Sequence, residues 1–60
     1  MNIREKRENK GLSQQKLAEA LGVKQTTVSM WETGNNVPET RILPQLAQVL
    51  GCTIDELFRA

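Results

Sequence analysis

The sequence predicts an all-α fold of five short helices. Three observations support this: four glycines divide the 60-residue chain into helix-sized segments, each segment begins with a plausible helix start, and apolar residues recur at helical spacing. No stretch alternates polar and apolar residues with a period of two, and β-branched residues do not cluster, so no strand is predicted. A chain of this length forms one small domain, which we place over residues 1–60.

The first two helices are bounded by capping residues and by glycines. Helix 1 is predicted over residues 3–9, with Asn2 as its N-cap and Glu5 completing a capping box. Helix 2 is predicted over residues 14–21, because Ser13 is a good N-cap residue. Its apolar stripe, which we expect in the core, is Leu17, Ala18 and Leu21.

Helices 3 and 5 have contrasting start signals. Helix 3 is predicted over residues 25–33, although Lys24 is a poor N-cap residue. Helix 5 is predicted over residues 54–58, where Thr53 and Glu56 have the spacing of a capping box.

Pro44 determines where helix 4 begins. Because proline is favourable only in the first turn of a helix, we expect the regular helix to start near Leu43. Residues 39–42 are then an irregular or single-turn approach. The alternative is one longer helix from Glu39 that is kinked at Pro44. The buried stripe is predicted to be Leu43, Leu46, Ala47 and Leu50.

The composition argues against catalysis. The chain has no histidine, which removes the commonest general base and the commonest metal ligand. Cys52 is the only cysteine, so we expect no internal disulfide and a small buried apolar residue at that position. We therefore expect no enzymatic activity, no metal, no cofactor and no small-molecule ligand. With no signal peptide and no apolar run near the ~20 residues needed to cross a bilayer, no membrane partner and a cytoplasmic location are expected.

Helix 3 has one face that belongs in the core. At about 100° per residue, Trp31 and Glu32 lie within about 60° of Val28. Val28 and Trp31 are therefore predicted to be buried, with Glu32 at the edge of the core. A partly buried carboxylate needs a cation, and Arg7 on the inward face of helix 1 is the best placed. We predict a structural ion pair between Arg7 and Glu32; the alternative is that Glu32 points to water.

The remaining faces of helix 3 are polar but uncharged. A solvated helix usually carries Lys and Glu at four-residue spacing, which are absent here. Amides and hydroxyls match the donors and acceptors of base edges, methyl groups pack on thymine, and an acidic group would repel phosphates. These faces suit the DNA major groove. Their residues are Gln25, Thr26, Ser29, Met30 and Thr33.

The segment "LSQQKLAEALGVKQTTVSMWETG" resembles the helix-turn-helix of the Cro/repressor family, also called the XRE family, of phages and bacteria. The later segment "LPQLAQVLGCTIDELF" resembles the rest of that domain, so the similarity covers nearly the whole chain. The resemblance implies a compact five-helix domain in which the second and third helices form the DNA-reading unit.

The resemblance also implies particular DNA contacts. Gln14 would bind a phosphate and brace Gln25, and a pair between Arg7 and Glu32 is frequent in the family. The base-reading residues would be Gln25, Thr26, Ser29 and Met30. The DNA-backbone residues would be Gln14, Lys24, Thr27, Thr33, Asn36 and Arg41. Each position also has an ordinary alternative, such as a solvated first-turn residue at Gln14 or a turn former at Asn36.

The expected function is sequence-specific binding of double-stranded DNA by a transcriptional regulator, a repressor that acts by steric occlusion. Because the net charge is only +1, one copy should bind weakly, and a homodimer on a palindromic operator is expected, with half-sites about 34 Å apart. Leu57 and Phe58 are the candidate dimer surface, unless Phe58 instead caps the core. Two alternatives remain: a protein-interaction or antitoxin-type module with the same fold, and the DNA-binding fragment of a longer regulator.

Overall fold

Five α-helices and no strand are found in residues 1–59, the part of the chain that the computed structural model describes. The helices are α1 (Ile3–Asn9), α2 (Gln14–Leu21), α3 (Gln25–Thr33), α4 (Leu43–Leu50) and α5 (Ile54–Phe58). The predicted all-α, five-helix fold class is confirmed. Ala60, the last residue of the predicted domain, lies outside the described residues.

The approach to α4 is a single 3₁₀ turn over Thr40–Ile42, and the regular helix begins at Leu43. Pro44 lies in the first turn of α4, where a backbone N–H would have no partner within the helix. The proline therefore removes no helical hydrogen bond. The single-turn approach is confirmed, and the kinked longer helix was wrong.

Two of the predicted N-caps are formed. The Ser13 hydroxyl accepts a hydrogen bond from the Lys16 N–H at 3.0 Å. At α5, the Thr53 hydroxyl accepts from the Glu56 N–H at 3.1 Å, and the Glu56 carboxylate accepts from the Thr53 N–H at 2.9 Å. This reciprocal capping box satisfies two N–H groups that the helix itself leaves unpaired.

The capping box predicted for α1 was wrong. Asn2 makes no side-chain hydrogen bond to the helix, and its backbone, at ψ 45°, is not extended as an N-cap residue usually is. Its N–H instead donates to the Leu57 carbonyl at 3.0 Å, while its side-chain Oδ1 is buried without a partner. A tertiary contact with α5 therefore sets the Asn2 conformation, in place of local capping with Glu5.

A single apolar core receives side chains from all five helices. Its buried members are Ile3, Leu17, Ala18, Leu21, Val28, Trp31, Leu46, Ala47, Leu50 and Leu57. Leu43, predicted to be in the buried stripe, is only partly buried and packs at the edge of this core. Within residues 1–59, no helix is both long enough and apolar enough to cross a membrane. The core fixes the positions of α2 and α3, which carry the predicted contacts to DNA.

Candidate nucleic-acid interface

A three-residue turn joins α2 to α3. Gly22 ends α2 in the left-handed conformation with φ 73°, which glycine adopts without steric cost. The Val23 N–H then donates to the Ala18 carbonyl at 3.0 Å, and the Val23 side chain packs against the core. Lys24 is extended and leads into α3 without a side-chain cap. Backbone bonding and apolar packing thus fix the angle between the two helices.

The faces of α3 are divided as the helical spacing predicts. Val28 is fully buried and Trp31 is 7% exposed. On the other side Gln25, Thr26 and Met30 are exposed, and Ser29 is half-buried between the two faces. The exposed surface of α3 therefore consists of amide, hydroxyl, methyl and thioether groups, as the base-reading prediction requires.

Glu32 is the only acidic residue of α3, and its side chain is only 4% exposed. Arg7 Nε donates to its Oε2 at 2.7 Å and Arg7 Nη2 donates to its Oε1 at 3.1 Å, a bidentate ion pair. The remaining terminal nitrogen, Nη1, donates to the Leu12 carbonyl at 2.6 Å. One guanidinium thus connects α1, the loop before α2, and α3. The structure places Arg7 and Glu32 together at the core edge.

Gln14 also bonds to Glu32, a contact that the sequence did not predict. Its Nε2 donates to Glu32 Oε1 at 3.0 Å, so the first residue of α2 is bonded to the last turn of α3. The resemblance implied that Gln14 would brace Gln25, but in residues 1–59 no hydrogen bond joins these two side chains. Spacing along a single helix does not reveal such a contact, because the two residues belong to different helices.

Hydrogen bonding keeps Glu32 ionised. Burial by itself would raise the pKa of Glu32, but hydrogen bonds from Arg7 and Gln14, together with the positive charge of Arg7, bring the pKa below its ordinary value. The bond to Glu32 correspondingly raises the pKa of Arg7, against the opposing effect of burial. The partners therefore remain charged around neutral pH, and the carboxylate is neutralised away from the exposed face of α3.

The predicted backbone-contact residues near the end of α3 lie at the surface. The Thr33 hydroxyl donates to the Met30 carbonyl at 3.3 Å, and the Asn36 side chain accepts from the Val37 N–H at 2.9 Å. Arg41 pairs with Glu39 at 2.7 Å, but both side chains are more than two-thirds exposed. An exposed pair of this kind contributes little stability and exchanges readily for another partner.

The other two backbone candidates flank the start of α3. Lys24 is exposed, and within residues 1–59 it forms no ion pair with another side chain. Thr27 is half-buried and lines a surface groove whose wall also includes Trp31 and Ile42. Thr27 is therefore less accessible to DNA than Lys24.

The two candidate dimer residues at the end of α5 differ in exposure. Leu57 is fully buried in the core, so assigning it to a dimer surface was wrong. Adjacent helical residues point in different directions, and the tertiary packing directs Leu57 inward. Phe58 is 59% exposed and does not cap the core. Ile54, four residues earlier on the same helix face, and Met1 are also exposed apolar residues.

Two other potential chemical groups lie outside this surface. Cys52 is half-buried against the core, and burial raises the pKa of its thiol, which disfavours the reactive thiolate. Among residues 1–59, no three His, Cys, Asp or Glu side chains are grouped as metal ligands.

The two linked helices and the uncharged exposed face of α3 define a helix-turn-helix domain. The helix-turn-helix family matches residues 3–57, and the chain belongs to this family. The predicted Cro/repressor-type resemblance is confirmed, and fold and family support a DNA-binding transcription regulator.

Two relatives agree with this assignment. The HTH-type transcriptional activator BcrR of Enterococcus faecalis is 38% identical over 56 residues, which are 93% of this chain and 28% of that protein. An uncharacterized HTH-type transcriptional regulator of Archaeoglobus fulgidus is 36% identical over 56 residues, which are 93% of this chain and 80% of that protein. The chain thus spans little more than a quarter of the Enterococcus relative.

Proposed function

We propose that this domain binds double-stranded DNA with sequence specificity by inserting α3 into the major groove. Gln25, Thr26 and Ser29 supply hydrogen-bonding groups for base edges, and the Met30 thioether supplies an apolar contact. The proposed backbone contacts are Gln14, Lys24, Thr27, Thr33, Asn36 and Arg41. The role is binding rather than catalysis.

One observation carries the proposal: the exposed face of α3 has no negative charge. Its only carboxylate, Glu32, is 4% exposed and bonded to Arg7 and Gln14. An exposed acidic group would be repelled by the phosphates on both sides of the groove, whereas amides and hydroxyls match the base-edge pattern. Removing the carboxylate from this surface makes α3 compatible with the groove.

The proposed contacts contain few cations. Only Lys24 and Arg41 carry a positive charge, and Arg41 must leave Glu39 to reach a phosphate. Since phosphate neutralisation supplies much of the affinity, one copy should bind weakly. We therefore propose a homodimer on a palindromic operator, with half-sites about 34 Å apart. The exposed apolar residues Met1, Ile54 and Phe58 are the proposed self-association surface.

The experiment that tests DNA binding is an NMR titration of ¹⁵N-labelled protein with a mixed-sequence duplex at low salt. We expect salt-sensitive shifts at the amides of residues 25–30 and 33–36 and at Gln14, with little change in α4. A protein that shows no shifts at millimolar DNA would refute the proposal, and the protein-interaction alternative would then be preferred.

The self-association surface has a separate test. Replacing Phe58 with alanine should weaken DNA binding and reduce the salt dependence of the affinity, because fewer phosphates are contacted by a monomer. The side chain is 59% exposed, so the unfolding midpoint should change little. Unchanged affinity and salt slope would contradict a dimer surface at Phe58.

Repression by steric occlusion remains the proposed mode of regulation. We also propose that the protein acts on DNA in the cytoplasm. The Enterococcus relative is named as an activator, and groove binding by α3 serves either sign of regulation. Reporter expression from a promoter that contains a selected operator distinguishes the two. Falling expression with rising protein concentration indicates repression, and rising expression indicates activation.

A further inference from the structure

Gln14 and Glu32 occupy the ends of the helix-turn-helix that are farthest from its turn. Gly22 and Val23 fix α2 and α3 at the turn itself. At the opposite ends, the first residue of α2 is bonded to the last turn of α3 through the 3.0 Å contact between Gln14 Nε2 and Glu32 Oε1. The two helices are therefore held at both ends, once by backbone and once by side chains.

Chemistry sets the orientation of the Gln14 carboxamide. An ionised carboxylate only accepts hydrogen bonds, so the Gln14 group facing Glu32 must be its NH₂ and not its carbonyl oxygen. Glu32 occupies one N–H, and within residues 1–59 the carboxamide makes no other hydrogen bond. The second N–H is left for an external acceptor. Gln14 is half-buried, so part of this residue remains accessible to solvent.

Arg7 holds the Glu32 carboxylate in a fixed position. The guanidinium holds both oxygens of Glu32 and also the Leu12 carbonyl, two residues before Gln14. The Arg7 side chain is 11% exposed, so water weakens these bonds little. Because Glu32 is itself held in place, the Gln14 side chain bonded to it loses less rotamer freedom on binding a ligand than a free glutamine does.

We infer that Glu32 is a positioning residue for DNA binding, which acts by holding one N–H of Gln14 so that the other donates to a backbone phosphate. The inference rests on the proposed DNA-binding function and deepens it. The ion pair thereby has a second role besides stability: it prepares a phosphate donor at the start of α2. The contact is independent of base sequence, so it strengthens binding to every duplex equally.

The test is a double-mutant cycle on DNA affinity. Gln14→Ala in the wild-type protein should weaken binding to a mixed-sequence duplex about tenfold, the effect of losing one hydrogen bond to a charged group. The second background is Arg7→Met with Glu32→Leu, because an apolar pair of similar size often preserves folding where a single change leaves a buried charge. In that background Gln14→Ala should weaken binding less than about twofold.

A matched control is available on the same helix. Gln15 is exposed and bonds to Glu19 within α2, so Gln15→Ala should change the affinity less than about twofold in both backgrounds. A tenfold loss from Gln14→Ala in both backgrounds would show that Gln14 acts without Glu32 and would overturn the inference. No loss from Gln14→Ala in the wild-type protein would overturn it as well.

A measurement on the unaltered protein decides the question if the apolar background does not fold. The two side-chain N–H protons of Gln14 give separate NMR signals, and DNA should shift the one that is not held by Glu32. If the α3 amides shift while both Gln14 protons stay unchanged, the inference fails and the proposed function stands. If no signal shifts with DNA, the proposed function fails too.

Discussion

Replacing Glu32 with glutamine removes the negative charge opposite Arg7 and preserves the side-chain shape. Arg7 is 11% exposed and Glu32 4% exposed, so the uncompensated guanidinium would stay largely out of water. Removing one partner of a buried pair typically costs 3–5 kcal/mol, and the glutamine oxygen can still accept one bond, so we expect a loss of about 3 kcal/mol. A 60-residue domain has a stability of about 3–9 kcal/mol, so this loss is a large fraction.

Trp31 provides the assay, because it is the only tryptophan and is 7% exposed. Its fluorescence should change when the core opens, and urea titration should show a midpoint lower by about 2–3 M. Glu8→Gln is the matched control, because Glu8 pairs with Arg4 at the surface. This substitution should lower the free energy of unfolding by less than about 0.5 kcal/mol. A loss from Glu32→Gln as small as that of the control would refute the buried-pair reasoning.

The same variant changes the response to acid. The pKa of Glu32 is lower in the folded protein than its ordinary value of 4.5, so the folded state holds the carboxylate ionised. Its contribution to stability is therefore present above about pH 4.5 and is lost as the pH falls through the folded-state pKa. The free energy of unfolding of Glu32→Gln should decline less below pH 4.5 than that of the wild type. Parallel declines would mean that acids present in both proteins, such as Glu56, account for the pH dependence, and they would contradict this assignment.

Two further changes test the helix ends, and both are measured by urea unfolding followed at Trp31. Thr53→Ala removes the 3.1 Å cap of α5 and should cost about 1 kcal/mol, and an unchanged midpoint would show that the capping box does not stabilise the helix. Gly51→Ala places a Cβ at φ +69° and 3.0 Å from the Lys10 side chain, and should cost about 1–2 kcal/mol. Gly11→Ala has a similar φ of +70° with open space around it, so a much smaller loss from Gly51 than from Gly11 would contradict this account.

The helix bounds were predictable because their signals are local. Ser13 and Thr53 cap helices through residues three positions away, and Pro44 fits only in a first turn. The failure at Asn2 has the opposite cause. Its backbone N–H is bonded to Leu57, a residue 55 positions along the chain, and this bond determines a conformation that local spacing suggested would be a cap.

For the candidate interface too, the features set by local spacing were predictable and those set by tertiary packing were not. Helical spacing alone separates Val28 and Trp31 from the exposed Gln25 and Thr26, because one helix of known period determines all four directions. The exposure of Phe58 was left open because helix 5 ends at this residue, so no later helical residue helps to define which face it lies on. Leu57 beside it was assigned to the surface and proved to be core.

The sequence by itself determined an all-α fold, the places where its helices begin and end, and the polar, uncharged character of the α3 face, since each depends on residues within a few positions. Helical spacing also predicted the Arg7–Glu32 pair between α1 and α3, but only the tertiary structure decided the other partners that meet across helices. Gln14 bonds to Glu32 across 18 positions and Asn2 to Leu57 across 55, and such contacts depend on how the packed core orients whole helices. Side-chain hydrogen bonding is directional and short in range, so the choice of Glu32 over Gln25 as the partner of Gln14 required that arrangement to be known.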